Sequence, residues 1–467
     1  MGQTESSTEN FQKQQQQQQL HPQKQLIPGL PDEIAMECLV RVPHQFHPTM
    51  KLVCQSWRFL IMNPSFYQER RRSGMAEHIV CLVQPVPRSP PSLTESSDSD
   101  MTQLSNRNTT TKEEEVDAKS STARLIQYGL SIYNATHQTW HRMMMRPGGG
   151  HVRIPMFCQC VALPAPGKLL LLGGWDPDTL EPVPDVYVLD LIGGVQWRRA
   201  APMSVARSFF ACGVVGQSMV YVAGGHDNQK NAMRSAEVYD ADADEWRTLP
   251  PMAEERDECQ GLSWEGDYRF WVVSGYSTDS QGRFRSDAEC FDPVTGSWSR
   301  IEGVWPYPSV SPRGLTTTVT IADKSNNGSH HNQNQYQWWW FLGSPQQHQD
   351  NGGVKELDNS NNIIWKVVDH LQLPGGINGT TSICVNTLGL GPDQYFANTH
   401  NQQLQRVFLM SSGGGGGRGT SSSSVTCGEC ECECAGEGTY ILSTKWNHVH
   451  TPPAFSGFPY SASCLMV

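Results

Sequence analysis

Short apolar runs alternate with polar turns along most of the chain, and between residues 168 and 298 the alternation repeats. Each repeat has an apolar run that ends in glycine, a polar loop, a second apolar run with an aromatic residue, and a tryptophan. In the middle repeat the runs are residues 209–215, 219–223, 236–240 and 245–248. Runs of this length between turn residues indicate β-strands. The pattern therefore predicts four short strands in each repeat.

The repeat is close to 50 residues long. Its second glycine is Gly174, Gly225 or Gly275, at steps of 51 and 50 residues, and its tryptophan recurs at steps of 49 and 52. Four short strands in a unit of about 50 residues resemble one blade of a kelch β-propeller. The residues predicted to hold the repeat together are Gly173, Gly174, Tyr187, Trp197, Gly224, Gly225, Tyr239, Trp246, Gly275, Phe291 and Trp298.

A single four-stranded blade cannot bury both of its faces, so blades have to stack around an axis. We expect the glycines to allow close approach of two backbones, and the aromatic residues to fill the space between blades. Residues 78–140 look like a first blade, 381–449 like a last one, and 461–467 like a strand that closes the ring. A propeller is expected over residues 78–467. Six blades fit the spacing best, and five or seven remain open.

A helical pattern occupies residues 26–72. Pro31 suits the first turn of a helix, and Asp32 and Glu33 suit its positive end. Apolar residues then fall on one helical face, namely Ile34, Cys38, Leu39 and Val42, and a second apolar group lies between residues 50 and 61. A helical segment of about 40 residues is too small to be very stable alone. We expect it to pack on the propeller or to bury its apolar face in a partner.

This helical segment resembles the F-box. The resemblance rests on the stretch Leu-Ile-Pro-Gly-Leu-Pro-Asp-Glu at 26–33, on Val-Cys-Gln-Ser-Trp-Arg at 53–58 and on Phe66. In that family the segment binds a Skp-type adaptor, which joins a cullin scaffold. The resemblance implies that the adaptor-binding residues are Leu26, Ile27, Pro28, Leu30, Pro31, Ile34, Leu39, Val42, Val53, Cys54 and Trp57. The alternative is a helical cap on the propeller.

Five longer blocks resemble a plant group of F-box/kelch proteins that acts on phenylpropanoid enzymes and cytokinin response regulators. The blocks are residues 207–212, 222–227, 230–233, 255–259 and 275–278. The resemblance implies a mainly β fold, a kelch propeller preceded by a small all-α F-box domain. It also implies that the target is phenylalanine ammonia-lyase or a type-B response regulator of cytokinin signalling.

Two arginines occupy matching positions in successive repeats, because Arg207 follows Met203 and Arg256 follows Met252 at the same interval. The kelch resemblance places these turns on one face around the central channel. An arginine there would bind an acidic or carbonyl-rich segment of a target, or would brace neighbouring blades. Further candidates for target binding lie in the polar loop after the glycine pair: His226, Asp227, Lys230 and Asn231.

Composition argues against several other classes of protein. The formal net charge is −11, which does not favour a general role in binding nucleic acid or membrane surfaces. The chain contains no apolar run long enough for a transmembrane helix, and its start lacks the apolar core of a signal peptide. We therefore expect the protein in the cytoplasm, the nucleus or both, with its 14 cysteines reduced.

Low-complexity segments interrupt the pattern. Residues 1–25 form a glutamine-rich tail that is expected to be disordered, and insertions are expected at 85–122, 323–336 and 411–435. Gly2 fits the loose pattern for N-myristoylation. Because one acyl chain anchors weakly and no second signal is nearby, no stable membrane association is expected.

Four cysteines lie close together in the last insertion, at Cys427, Cys430, Cys432 and Cys434. Thiolates at this spacing are able to hold a soft metal, but the surrounding sequence is rich in glycine and serine. No second cysteine pair stands at the spacing of a structural zinc site. We therefore expect no metal here and no cofactor elsewhere.

The sequence lacks a nucleophile–base motif, a phosphate-binding loop and a metal triad, so catalysis is not expected. The hypothesis is a substrate-recognition subunit of an SCF-type ubiquitin ligase. The F-box would bind the adaptor and, through it, the cullin, and the propeller would bind a protein target for ubiquitination and degradation. The alternatives are a kelch scaffold that does not ubiquitinate its partner, and a propeller enzyme.

Overall fold

The structure, a computed structural model, describes residues 25–86, 127–143, 153–164, 167–192, 196–263, 268–305, 308–313, 449–455 and 457–467, and the backbone of the strands between 316 and 448. The predictions for the tail up to residue 24, for acylation of Gly2 and for the four-cysteine cluster lie outside the described residues, as does most of each predicted insertion.

The first described segment folds into four short helices: α1 (Asp32–Val40), α2 (His47–Val53), α3 (Gln55–Met62) and α4 (Pro64–Arg72). Their starts follow local chemistry. The Cys54 side chain accepts a hydrogen bond from the backbone N–H of Trp57 at the start of α3. At the start of α4, the Asn63 side chain accepts one from Ser65, and Pro64 takes the first position. Short 3₁₀ helices lie at His44–Phe46, Thr278–Ser280 and Pro453–Phe455.

The rest of the described chain is built from strands. In chain order they are β1 (His78–Val86), β2 (Gln127–Asn134), β3 (Thr139–Met143), β4 (Gln159–Ala162), β5 (Lys168–Leu172), β6 (Val186–Asp190), β7 (Gln196–Ala200), β8 (Ala211–Val215), β9 (Met219–Ala223), β10 (Ala236–Asp240), β11 (Glu245–Leu249), β12 (Gln260–Leu262), β13 (Phe270–Val273), β14 (Ala288–Asp292), β15 (Ser297–Ile301), β16 (Thr316–Ile321), β17 (Tyr336–Phe341), β18 (Val354–Leu357), β19 (Ile363–Lys366), β20 (Ser382–Gly391), β21 (Gln394–Asn401), β22 (Leu404–Ser411), β23 (Trp446–Val449) and β24 (Ser461–Met466). Pro85, Val86, Tyr336 and Ser411 belong to strands, so the predicted insertions are slightly shorter than expected.

The described strands form six four-stranded antiparallel sheets, the number of blades that the spacing favours. Strands β24, β4, β8, β12, β16 and β20 each lie at the edge of one sheet. Each of them contacts the next in this order, and β20 contacts β24, so these edge strands surround a common axis. The fold is a β-propeller preceded by helices, as predicted.

The ring is closed by the end of the chain. Strand β24 pairs antiparallel with β1, and His78 lies opposite Met466. The first blade therefore combines one strand from the end of the propeller with three from its beginning. This confirms the predicted role of the last residues.

The aromatic pairs of the repeat lie across the two outer strands of a blade. Tyr239 lies opposite Trp246, with 5.0 Å between ring centroids, and Phe291 lies opposite Trp298 at 5.3 Å. In the second blade Tyr187 is buried in the hydrophobic core, as predicted, although Leu189 is the residue that lies opposite Trp197. Tyr187 and Trp197 are ten residues apart in sequence, whereas the residues of the other two pairs are seven apart.

The second glycine of each repeat packs against backbone. Gly174, Gly225 and Gly275 have φ angles of +92°, +80° and +87°. A Cβ on Gly225 would lie 2.3 Å from the carbonyl oxygen of Ser208. The Gly225 N–H also donates to the Arg256 carbonyl in the turn that leads to the next blade, at 2.8 Å. Glycine is therefore required both for its backbone angle and for the space it leaves.

Replacing Gly225 by alanine is expected to lower the free energy of unfolding by about 3 kcal/mol, because strain at positive φ adds to the backbone clash. Gly216→Ala is the matched control, since Gly216 has φ +70° but nothing within 4 Å of an added Cβ. The control is expected to lose only about 1 kcal/mol. Urea unfolding of both variants measures the difference, and equal losses would show that the close approach has no cost.

Candidate functional site

The helices pack directly on the propeller. Leu39 of α1 and Ile61 of α3 share a hydrophobic core with Ile79 of β1 and with Leu191 and Ile192 of the β6–β7 turn. Leu39 is only 2 % exposed, so its predicted role in adaptor binding is corrected: its side chain holds the helices on the propeller. The helices are thus fixed at the end of the propeller where β1 begins.

Glu77, in the link between α4 and β1, connects the two parts by hydrogen bonds. Its Oε1 accepts from the Arg70 guanidinium at 2.7 Å and from the His44 backbone N–H at 2.6 Å, and its Oε2 accepts from Asn134 Nδ2 at 2.6 Å. Arg70 and Glu77 are both buried. Arg70 Nη1 also donates to the carbonyls of Val40 and Val42, so this buried ion pair ties the helices to the first blade.

Two histidines lie beneath the helices in the same region. His47 is buried between the Tyr67 hydroxyl and the Val42 carbonyl, each 3.1 Å from one ring nitrogen. Burial is the largest cause that lowers the pKa of His47 to about 3 and that of His44 to about 4. The positive charge of Arg70 acts in the same direction. The folded state therefore favours neutral imidazoles at this contact.

Acidification is expected to destabilise the contact between the helices and the propeller. Between pH 6.5 and the folded pKa values of the two histidines, the unfolded chain binds more protons than the folded chain. The stability that the neutral imidazoles contribute is therefore complete above about pH 6.5 and falls as the pH decreases. At pH 5 the loss from His47 is expected to be about 2 kcal/mol. Unfolding at pH 7.5 and pH 5 measures the loss, and His47→Gln should reduce it. The control His141→Gln, at an exposed position, should leave it unchanged.

The helices also carry a concentrated apolar surface. Among the described residues nine large hydrophobic side chains are exposed, and six of them lie on or beside α1–α3: Ile34, Phe46, Leu52, Val53, Phe59 and Met62. We call this set the helical apolar surface. Clustered exposed apolar residues mark an interaction site, whereas scattered ones do not.

The predicted adaptor-binding residues lie only partly on this surface. Ile34 and Val53 belong to it, and Pro28 and Pro31 are exposed nearby. Partly buried positions are Leu26, Ile27, Leu30, Val42, Cys54 and Trp57. Sequence reasoning missed Phe46, Leu52, Phe59 and Met62. The three-residue spacing of the last two on α3 was the available signal, but a helical stripe does not show whether it faces a core or solvent.

The predicted target-binding arginines are buried and paired. Arg207 Nη2 donates to Glu237 at 2.9 Å, and its Nη1 donates to the Gly224 carbonyl at 2.9 Å. Arg256 Nε donates to Glu289 at 3.0 Å, and the same guanidinium pairs with Asp287. Both arginines are 0 % exposed. The assignment to target binding is therefore corrected, and these arginines brace the blades, which was the stated alternative.

The polar loop after Gly225 is largely occupied with its own contacts. His226 is 5 % exposed, and its Nδ1 donates to the Asp257 carboxylate at 2.9 Å. The Asp227 carboxylate accepts hydrogen bonds from the backbone of Gln229 and Asn231, both at 2.9 Å, and from the Asn231 side chain. Of the four predicted residues, Lys230 is the exposed one.

The helices and this loop lie at opposite ends of the propeller. The helices contact the start of β1 and the β6–β7 turn. The loop between β9 and β10 and the turn between β11 and β12 lie at the other end, because strands in a blade are antiparallel. A five-residue strand is about 17 Å long, so the two ends are separated by roughly that distance or more. We call the end away from the helices the distal end.

Two kinds of site are absent from the described part of the chain. No helix there is long and apolar enough to cross a bilayer. No group of three or more His, Cys, Asp and Glu side chains in those residues has the geometry to hold a metal ion.

Comparison with known proteins agrees with these two parts. The F-box domain model matches residues 27–69, and the Kelch motif model matches residues 206–253. The chain is 44 % identical to the F-box/kelch-repeat protein SKIP20 of Arabidopsis thaliana, over 95 % of this chain and 97 % of that protein. It is 53 % identical to the F-box/kelch-repeat protein At2g44130 of the same plant, over 64 % of this chain and 70 % of that protein.

Proposed function

Because this chain belongs to the F-box/kelch-repeat proteins, we propose that it is the target-binding subunit of an SCF-type ubiquitin ligase. Proteins of this family generally act as substrate receptors, and an F-box binds a Skp-type adaptor. In the proposed complex the adaptor joins the chain to a cullin, and the propeller holds a protein target for ubiquitination.

The helical apolar surface is the observation that carries this proposal. Leu52 and Phe59 are 76 % and 74 % exposed, although other side chains of the helical segment pack in a shared core with the propeller. Exposure of apolar side chains to water is unfavourable, so burying this surface against an adaptor would stabilise the complex. A helical cap without a partner would gain nothing from these exposed side chains.

The proposed mechanism is proximity and needs no chemistry from this chain. A target bound at the distal end would be held at a fixed orientation relative to the adaptor, because Glu77 and Arg70 join the helices rigidly to the first blade. Holding a target lysine near the charged conjugating enzyme raises its effective concentration. The chain thus acts as a receptor, and the ligase partners transfer ubiquitin.

For the target, we propose phenylalanine ammonia-lyase or a type-B response regulator. Support comes from the resemblance of the five sequence blocks to the plant group that acts on these proteins. Ubiquitination of the enzyme would lower phenylpropanoid synthesis, and ubiquitination of the regulator would lower cytokinin output. The two targets are alternatives, and the experiment below includes both.

Reconstitution tests the proposed function. The purified chain would be combined with a Skp-type adaptor, a cullin with its RING partner, and ubiquitin-activating and -conjugating enzymes. Phenylalanine ammonia-lyase or a type-B response regulator would be the substrate. We expect polyubiquitin on one of them with the full chain and none with a Leu52→Asp/Phe59→Asp variant.

Three outcomes separate the alternatives. Adaptor binding without ubiquitin transfer to either substrate would refute the two named targets. Adaptor binding, together with stable half-lives in plant cells for every protein bound by the chain, would favour a scaffold. If the chain bound no adaptor, the receptor proposal would fail.

A further inference from the structure

Side chains at the distal end form a continuous series of cation–aromatic contacts. The Arg313 guanidinium lies over the Phe209 ring, 5.4 Å from its centroid, and Phe209 stacks on His226 at 5.5 Å. His226 meets the edge of Trp175 at 5.8 Å, and the Lys230 ammonium lies over Trp175 at 5.4 Å. We call these five residues the cation–aromatic ladder. It has one positive charge at each end.

The ladder lies at the mouth of the central channel. Phe209 lies just before β8, and Arg313 lies just before β16, so both lie where an inner strand begins. Phe157 and Tyr460 stand at the corresponding places before β4 and β24, 4.4 Å apart. Phe157 also contacts Phe209 at 4.9 Å. Aromatic rings from three blades therefore meet the ladder around the axis.

Two of these rings are placed by an unfavourable backbone. Phe157 and Phe209 have φ angles of +55° and +54°, which cost energy for a residue that is not glycine. Glu258 takes the same conformation, at +50°, before β12. Glycine would relieve the strain at each position. Strain retained at one place in successive blades indicates that the side chains there have a use beyond folding.

Arg313, which is partly buried, differs from the buried arginines because no carboxylate among the described residues is hydrogen-bonded to it. Its Nη1 donates to the carbonyls of Phe210 and Cys259, at 3.0 and 3.1 Å, and no described residue accepts from its Nε or Nη2. Arg70, Arg207 and Arg256 each pair with Asp or Glu.

The carboxylates nearest to Arg313 already have other partners. Asp257 accepts from His226 Nδ1, and Glu258 accepts from the Tyr276 hydroxyl at 3.1 Å. The guanidinium therefore retains both charge and donors that an acceptor from outside the chain is able to use.

The same ladder holds two buried nitrogens without a partner among the described residues. They are His226 Nε2 and Trp175 Nε1. His226 is 95 % buried, and a polar atom in such a place is normally hydrogen-bonded. The indole nitrogen of Trp175 is a donor only, so its missing partner has to be an acceptor.

We propose that the cation–aromatic ladder binds an aspartate or glutamate side chain of the target, next to an apolar residue of the same segment. The carboxylate would accept hydrogen bonds from Arg313, whereas Trp175 and Lys230, at the other end of the ladder, would hold a second acceptor of the same segment. The apolar neighbour would pack on Phe157, Phe209 and Tyr460. This inference rests on the proposed receptor function and specifies which chemistry the receptor recognises.

Peptide selection tests the inference without knowledge of the target. A random library of 12-residue peptides displayed on phage would be selected against the full chain in complex with a Skp-type adaptor. We expect the enriched peptides to contain Asp or Glu beside an aromatic or aliphatic residue. A synthetic copy of the leading peptide should lose at least tenfold in affinity when that acid is replaced by its amide.

Three variants of the chain assign the binding to the ladder. Arg313→Gln and Phe209→Gly should each weaken the leading peptide at least tenfold. Glycine accepts the φ of residue 209, so the second variant removes the ring without backbone strain, and its thermal midpoint should stay close to that of the native chain. The control Arg247→Gln, at an exposed position of β11, should bind the peptide normally.

Other outcomes would overturn the inference. These are enrichment of basic or neutral peptides, failure to enrich any peptide, or equal binding by Arg313→Gln and the native chain. Retention of the adaptor is measured on the same samples. Loss of the adaptor would contradict the receptor function, whereas adaptor binding without acid-dependent peptide binding would contradict only the role of the ladder.

Discussion

Replacing both Leu52 and Phe59 by aspartate is expected to weaken binding of a Skp-type adaptor at least about 100-fold. Both side chains are exposed in the free chain, so binding would bury them and the new charges would have to be desolvated. The stability of the chain should hardly change, because neither residue belongs to the core. Calorimetry or surface plasmon resonance with the purified adaptor measures the affinity, and thermal unfolding measures the fold.

The matched control is Val294→Asp, on the β14–β15 turn of the propeller. Val294 is 88 % exposed, more than either helix residue, but it belongs to the fourth blade and not to the helical apolar surface. It should leave adaptor affinity unchanged. Native affinity in the double variant would exclude the helical apolar surface as the adaptor site, and equal weakening by Val294→Asp would show that the effect comes from added charge alone.

Replacing Arg256 by alanine is expected to lower the free energy of unfolding by about 3–5 kcal/mol. The guanidinium neutralises Asp287 and Glu289, which are 2 % and 1 % exposed, and also donates to the Ser274 carbonyl at 2.8 Å. Without it, buried Glu289 would lose its arginine partner, and Asp287 would keep only Arg285 and Arg300. Urea unfolding followed by tryptophan fluorescence measures the loss, and the exposed Arg247→Ala is the control, with an expected change below about 0.5 kcal/mol.

A combined variant separates lost charge pairing from lost packing. Arg256→Met with Asp287→Asn and Glu289→Gln should recover much of the stability lost in Arg256→Ala, because none of these three buried positions then carries a charge. No recovery would mean that the shape of the guanidinium and its bonds to carbonyl groups matter more than its charge. A loss below about 1 kcal/mol in Arg256→Ala itself would contradict the brace.

Local sequence patterns predicted most of the fold. The strands and the aromatic pairs were predictable from the alternation of apolar and polar residues along a strand, and the turns from the positions of glycine. Both signals act over only a few residues. The helical segment was visible for the same reason, through Pro31 and the apolar face that follows it. Residue type alone did not give the strand register: Tyr187 is buried as predicted, but Leu189 is the residue opposite Trp197.

The candidate sites were less predictable, because a residue type does not reveal its partner. From the sequence, Arg207 and Arg256 could bind a target or brace the blades. Their role is decided by the buried partners Glu237 and Glu289, which lie 30 and 33 residues further along the chain. Leu39 and Leu52 are both apolar residues of the helical segment. One is buried against the propeller and the other is exposed, a difference that exists only once the helices are docked.

By itself the sequence determined the kind of protein: a helical segment with the F-box pattern, followed by repeated four-stranded units whose glycines and aromatic residues require stacking. These features depend on interactions between residues that are near in sequence. Only the tertiary structure decided which buried charges neutralise each other within a blade and which apolar side chains stay exposed. Arg313 shows the reason, because its bonds to Phe210 and Cys259 join residues 103 and 54 positions away, and only the arrangement of the blades around the axis brings them together.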